Sequence, residues 1–249
     1  MVLCADMHVS RRLLVVALAA SALAVGWYGR GALAPPPGDF DAESLARTTR
    51  EAFEQIYQEK RWGTSGTGDG TSGAGSTLGA TMWWRLYLQR FMAIYDVHSV
   101  VDAGCGDWEF SRAIDWSGID YKGFDIVDAV IAEDRRRFEA PNIHFFTANI
   151  VDTDLPPADL LIVKHVLQHL PNADVAKFIS QLSKYKHVLI VDGVDRQTLS
   201  ALNTDTVPGG YRQLDLTAPP FNLHGTKVLT YLGDDQAMHQ VVHIIHGGR

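Results

Sequence analysis

Hydrophobic residues along this chain fall into short, nearly unbroken runs, separated by segments in which apolar positions recur every three or four residues. The runs at 99–103 (SVVDA), 121–125 (YKGFD), 143–147 (IHFFT), 160–164 (LLIVK) and 187–192 (HVLIVD) have the length and β-branched content of strands. LLIVK is apolar up to Lys164, as expected of a strand buried on both faces. Between these runs, helices are predicted over 108–116, with Asp107 as its cap, over 127–138, and over 174–184 after Pro171 and Asn172. Strands alternating with helices predict a parallel sheet joined by right-handed crossovers. Two further runs, 228–232 and 241–245, flank a short connection containing Gly233, Asp234 and Asp235 and predict a closing hairpin-like pair.

Upstream of the first strand the pattern is helical. One helix is predicted from residue 39 to Trp62-Gly63, capped by Asp41 or Ser44 and carrying Leu45, Phe53, Ile56 and Tyr57 on one stripe. A second, over 78–95, carries Met82, Trp83, Leu86, Phe91 and Ile94, an apolar breadth that predicts docking on the main domain. Between them, residues 64–77 (TSGTGDGTSGAGST) are too poor in apolar side chains to hold a core of their own, and read either as a surface loop or as a lid that orders over a ligand. The predicted organisation is therefore 1–34, 35–98 as a helical extension, and 99–249 as the main domain.

Residues 1–34 stand apart. Arg11 and Arg12 precede an apolar run over 13–28, followed by GRGALAPPPG. A helix of that run would be about 24 Å long against a hydrocarbon core of ~30 Å. The segment reads as a short signal anchor, or as a signal peptide ending at the A-x-A-like Ala32-Leu33-Ala34. As an anchor it predicts single-pass membrane association with the main domain on the extracytoplasmic or lumenal side.

Composition adds bounds. At 249 residues and 46% hydrophobic, the chain supports one ordinary α/β domain with decoration. A net charge of −7 argues against a nucleic-acid partner, because neutralising phosphates needs clustered Lys and Arg. Cys4 and Cys105 form no disulfide framework, and no stretch has metal-ligand spacing.

The candidate chemistry lies at strand ends. Asp102, Asp125, Asn149, Lys164-His165 and Asp192 each follow or end a predicted strand, on the edge where open parallel sheets bind ligands. Gly104 and Gly106 make a tight turn after the first strand, suited to a nucleotide-like ligand. A dinucleotide fingerprint would need a third glycine where Glu109 stands. His239, His243 and His246 read as ordinary strand and tail residues.

The segments VVDAGCGD, GFDI and DLLIVKHVLQHLPN together resemble the class I S-adenosylmethionine (SAM)-dependent methyltransferases; the closing strand pair is similar too. WGTSG, SGAGS, YKHVLIVD and GGYRQLDLTAPPFNL resemble a subgroup of small bacterial-type members. The resemblance implies a Rossmann-like α/β sandwich, mostly parallel with a C-terminal antiparallel strand, and SAM as cofactor. It implies that Asp102, Gly104 and Gly106 lie against the methionine part of SAM, that Asp125 accepts from the ribose hydroxyls, that Ile126 lies on the adenine face, and that Asn149 reads the adenine amino group. Lys164 belongs to the same expected cofactor site. His165 and His169 are the candidate general bases for a hydroxyl acceptor, able to share one face if their segment is helical. Tyr211, Arg212 and Asp215 are candidate acceptor-binding groups. The expected acceptor is a small molecule or glycan; the alternatives are an NAD(P)-dependent oxidoreductase and a non-catalytic membrane-tethered binding module. Cytosolic SAM supply argues for a cytoplasmic domain, against the topology expected from Arg11 and Arg12.

Overall fold

The computed structural model describes residues 48–64, 70–194 and 202–246. The apolar run 13–28 and the caps Asp41 and Ser44 lie outside the described residues. Among the described residues, no helix is long and apolar enough to cross a membrane.

Seven strands form one sheet: β1 (Ser99–Ala103), β2 (Asp120–Asp125), β3 (Ile143–Thr147), β4 (Leu160–Lys164), β5 (His187–Gly193), β6 (Thr226–Leu232) and β7 (Met238–Ile245), in the order β3-β2-β1-β4-β5-β7-β6. The first five pair in parallel, and β7 inserts antiparallel between β5 and β6. Sequence order reverses between β1 and β4, so their carboxyl ends diverge into a crevice.

Side-chain alternation distributes each central strand over two cores. Val101, Leu161, Val163, Val188, Ile190 and Val242 face one layer, which also contains Phe53, Val130 and Phe178. Val100, Leu160, Ile162, Leu189, Val191 and Val241 face the other, with Trp84, Leu88, Trp108 and Tyr121. Burial on both faces explains why β4 and β5 read as uninterrupted apolar runs. Among the described residues, four helices supply the covering layers: α1 (Thr49–Gln58), α2 (Met82–Ile94), α3 (Asp128–Phe138) and α4 (Asn172–Ile179). Helix α1 starts with a capping box, in which the Thr48 hydroxyl accepts from the Glu51 N–H and the Glu51 carboxylate accepts from the Thr48 N–H.

Three expectations are corrected. No α-helix follows β1 over 108–116. Trp108 adopts φ +54° and turns its indole into the second core against Tyr121, Phe138 and Phe145, so the backbone leaves helical geometry where the helix would start. Only a short 3₁₀ turn, Ser111–Ala113, remains. The helix expected over 174–184 closes at Ile179, with a separate 3₁₀ turn at Leu182–Lys184. Helix α2 docks as expected, but of the five apolar residues read on it only Phe91 is buried: Trp84, Leu88 and Met92 complete the docking face, whereas Met82, Trp83, Leu86 and Ile94 face solvent. MWWRLYLQRFMAI is apolar around most of its circumference, so its periodicity does not select the docking side.

Candidate active site

A cavity of about 750 Å³, counted to its open mouth, occupies the crevice at the carboxyl ends of β1, β2 and β4. Its wall contains Asp102, Gly104, Gly106, Asp125, Ile126, Asn149, Lys164 and His165, which brings together eight of the twelve expected site residues. Phe53 and Tyr57 of α1 with Trp62 form an aromatic cover over it.

The glycine turn is held from two sides. Gly104 (φ +88°) and Gly106 (φ +57°) occupy left-handed backbone geometry, and a Cβ on Gly104 would lie 2.2 Å from Val166 Cγ2. The glycine- and serine-rich segment lies against this turn. Asp107 accepts from the N–H groups of Thr71 and Ser72, while the Asp107 N–H donates to the Ser72 hydroxyl (3.1 Å), which also meets the Tyr57 hydroxyl at 2.8 Å. Residues 70–76 are thus folded over the site, and Asp107, expected as a helix cap, is the clamp that holds them.

Asp125 is buried with one carboxylate oxygen accepting from Gly106 N–H (3.1 Å) and the other from Val127 N–H (3.0 Å). Burial pushes its pKa up, against the pull of these donors and the Ile126 amide. Asp102 is only 3% exposed. Burial raises its carboxyl to about 7, opposed by the Tyr121 hydroxyl that donates to it (2.8 Å) and by the charge of Lys164. Lys164 is the complementary case: burial lowers its ammonium to about 8, against Asp235, Asp102 and Asp192. It donates to the Gly75 carbonyl (2.7 Å) and lies 5.1 Å from the centre of the Phe110 ring. Asn149 reaches the cavity wall, and its side chain also closes the turn after β3, accepting from Val151 N–H at 3.0 Å.

The two candidate histidines do not share a face, because the segment after β4 is not helical at His165, which has φ +55°. His165 turns to β7: its Nε2 is 2.9 Å from Nδ1 of His239, whose Nε2 is 3.1 Å from Asp235 Oδ1. Burial pushes the His165 imidazole well below its ordinary pKa, helped by the neighbouring Lys164, His239 and His169. His169 lies outside the cavity wall. It donates Nδ1–H to the Gly210 carbonyl (2.8 Å) and its ring sits 5.1 Å from that of Trp62. Burial lowers it to about 4.

The three expected acceptor-binding groups are also outside this wall. Arg212, 2% exposed, donates to the carbonyls of Leu170 (2.8 Å) and Thr204 (2.9 Å) and to Asn172, and so ties the 202–223 segment to α4. Asp215 accepts from Thr217 N–H and from Lys227 (2.5 Å). Tyr211 stays half-exposed beside His169, with its hydroxyl 3.0 Å from where a Cβ on Gly193 would stand. Sequence reading missed Tyr57, Ser72 and Phe110 as site residues, and took His239 for an ordinary strand residue. Only the even spacing of His239 and His243 on one strand face hinted that β7 carries polar groups inward.

Residues 100–187 match the family described as a methyltransferase domain. This match supports a SAM-dependent methyltransferase domain over that segment. The similarity extends to solved structures. Magnesium protoporphyrin IX methyltransferase from Synechocystis PCC 6803, with bound SAH, is 14% identical at a TM-score of 0.57, covering 80% of this chain and 98% of that one. N-methyltransferase NodS from Bradyrhizobium japonicum WM9, also in complex with SAH, is 14% identical at 0.56, covering 76% and 96%. Human N-acetylserotonin methyltransferase in complex with SAM is 16% identical at 0.51, covering 83% and 62%. No curated protein matches the sequence significantly. The match favours the methyltransferase reading, with SAM as cofactor, over the nicotinamide oxidoreductase. The donor set of the cavity fits that cation: two buried carboxylates, Asp102 and Asp125, with apolar walls from Phe53, Ile126, Ile150 and Leu170. A sulfonium beside carboxyls whose pKa burial has raised favours their ionised form, so ligand and site stabilise each other.

Proposed function

We propose that this methyltransferase transfers the methyl group of SAM to a hydroxyl of a small-molecule or glycan-like acceptor. The observation that carries the reading is the convergence of Asp102, Gly104, Gly106, Asp125, Lys164 and His165 on one cavity at the switch point of the sheet. Asp125 accepts from the ribose hydroxyls with the lone pairs that Gly106 and Val127 leave open. Ile126 and Ile150 offer apolar surface to the adenine, and Asn149 a carbonyl to its amino group. Asp102 and the glycine turn face the methionine part.

Bound SAM supplies an activated methyl group. The protein's own task is to align the acceptor and receive its proton. His165, neutral through burial and on the cavity wall, is the proton acceptor in this reading, and His169 holds the neighbouring loop. Tyr211, half-exposed beside that loop, is the acceptor-side contact; Arg212 and Asp215 serve by fixing the 202–223 segment. Calorimetry with SAM and SAH tests cofactor binding, and mass spectrometry of glycan and metabolite extracts incubated with methyl-labelled SAM tests the acceptor. Label found only on nitrogen or carbon would refute O-methylation. Single-pass membrane association through 13–28 completes the reading, supported by that run and by Arg11 and Arg12. Quantitative release of the full chain from membranes by alkaline carbonate would refute it.

A further inference from the structure

The hydrogen-bonded row behind the cavity has a defined polarity. Asp235 sits in the turn between β6 and β7 and His239 on β7, while His165 follows β4, so two distant stretches of sequence meet here. Asp235 Oδ1 is fixed by the Ala237 N–H (3.1 Å) and accepts from His239 Nε2 (3.1 Å). Burial alone would raise this carboxyl, but the hydrogen bonds from His239 and the Ala237 amide, with the charge of Lys164, outweigh it and hold the pKa below the ordinary range, so Asp235 is an acceptor only. With the proton on Nε2, His239 Nδ1 is a bare lone pair. That lone pair takes Nε2–H of His165 at 2.9 Å, which leaves His165 Nδ1 bare in turn. One carboxylate thereby sets two tautomers. This Nδ1 is unprotonated and accepts a long contact from Lys164 Nζ (3.3 Å), which an acceptor hydroxyl would replace, and it lies beside Gly75, where a Cβ would stand 2.8 Å from it. The imidazole rings are nearly parallel, at 25° with centroids 4.7 Å apart, and Gly233 makes room for His239 where a Cβ would come within 2.8 Å of Nε2.

We propose that Asp235 and His239 are positioning residues of a proton relay, which directs the bare Nδ1 of His165 at the acceptor and carries the acceptor's proton away from the cavity. The inference rests on the methyl-transfer reading above. In the transfer, a bond forms from the acceptor oxygen to the methyl carbon as the sulfur–carbon bond breaks, and that electron pair returns to sulfur. The hydroxyl proton goes to His165 Nδ1. The Nε2 proton of His165 passes to His239 Nδ1, leaving an imidazolium beside the Asp235 carboxylate. After product release the proton passes back from His239 Nδ1 to His165 Nε2 while the Nδ1 proton of His165 leaves to water entering the cavity, which resets both rings.

Electrostatics favour that direction. An imidazolium at position 165 would be buried against the Lys164 ammonium, itself flanked by Asp102 and Asp192, with His169 on the next turn. At position 239 the same charge faces a carboxylate and the Tyr231 ring of β6, 4.9 Å away. His239 is 1% exposed, so no water competes for the pair. The left-handed backbone of His165 is the local strain that aims its ring at β7 rather than along the chain.

Nitrogen-15 NMR of the histidine-labelled full chain, free of cofactor, reads the tautomers directly. His165 and His239 should both carry the proton on Nε2; Nδ1–H on either ring would overturn the relay. Asp235→Asn should weaken the preference of His239 for the Nε2–H tautomer and Asp235→Glu should restore it, with SAM affinity by calorimetry changed less than threefold in both. An unchanged His239 tautomer in a folded Asp235→Asn variant would overturn the proposal. With an acceptor in hand, Asp235→Asn should lower kcat at least a hundredfold, as expected for loss of general-base work, while KM for SAM holds. A kcat within threefold of wild type would again overturn it. Absence of SAM binding refutes the methyl-transfer reading, whereas other tautomers refute the relay with SAM binding intact.

Discussion

Replacing Asp125 by Asn removes a charge while keeping the shape, and its cost follows from two backbone contacts. The carboxylate accepts one backbone N–H on each oxygen, Gly106 at 3.1 Å and Val127 at 3.0 Å, in a buried setting. An amide has one acceptor oxygen, so its NH₂ must face one of these donors. A buried donor left without a partner costs about 1–3 kcal/mol, which for a domain of this size lowers Tm by roughly 2–12 °C. Ligand affinity changes separately. Hydrogen bonds from ribose hydroxyls to a carboxylate are charge-assisted, and their loss, worth about 1.5–3 kcal/mol, weakens SAM binding by roughly 10- to 150-fold. Isothermal titration calorimetry with SAH, alongside thermal melting followed by circular dichroism, separates the two effects. A lowered Tm with an SAH Kd within twofold of wild type would show that Asp125 serves the glycine turn alone, and would refute the ribose assignment.

Other substitutions test the fold and the titrating groups. Gly104→Ala places a Cβ at φ +88° and 2.2 Å from Val166, so Tm should fall by several degrees and SAH binding be lost; a Tm within 1 °C of wild type would contradict the geometry. In urea unfolding, Trp84→Ala should cost about 3–5 kcal/mol, because Trp84 is 0% exposed, whereas Trp83→Ala, 52% exposed, should cost under about 1 kcal/mol; equal costs would mean that α2 docks by a broader face. Burial raises the Asp192 carboxyl to about 7, opposed by Arg212, the Gln168 amide and Lys164. A raised carboxyl gives stability that is complete below the unfolded pKa near 3.8 and is lost as pH climbs through the folded value, by up to about 4 kcal/mol. Asp192→Asn should therefore become more stable relative to wild type as pH rises from about 4 to 7, and parallel stability curves across that window would contradict the assignment.

Much of this protein is legible in the order of its residues. The uninterrupted apolar runs of β4 and β5 follow from burial on both faces of a parallel sheet, and that condition leaves its mark position by position. Acids and glycines that break off such runs, Asp102, Gly104, Gly106 and Asp125, mark the ligand edge for the same local reason: each closes a strand whose direction is already set. The lone Glu109 in place of a third glycine separated the turn from a dinucleotide fingerprint. What local pattern does not hold is the choice among apolar faces and the meeting of remote chain segments. Trp83 and Trp84 are chemically identical neighbours, and only the docking of α2 on the sheet buries one and exposes the other. Trp108 has good helix neighbours, yet space between Tyr121 and Phe145 draws it inward and costs the helix. His165, His239 and Asp235 become a single hydrogen-bonded row only because β7 folds back beside β5 and the turn before it reaches the end of β4. Pattern records which strands are buried on both faces; which side of an all-round apolar helix is covered, and which residues then touch, depends on packing between elements far apart in the sequence.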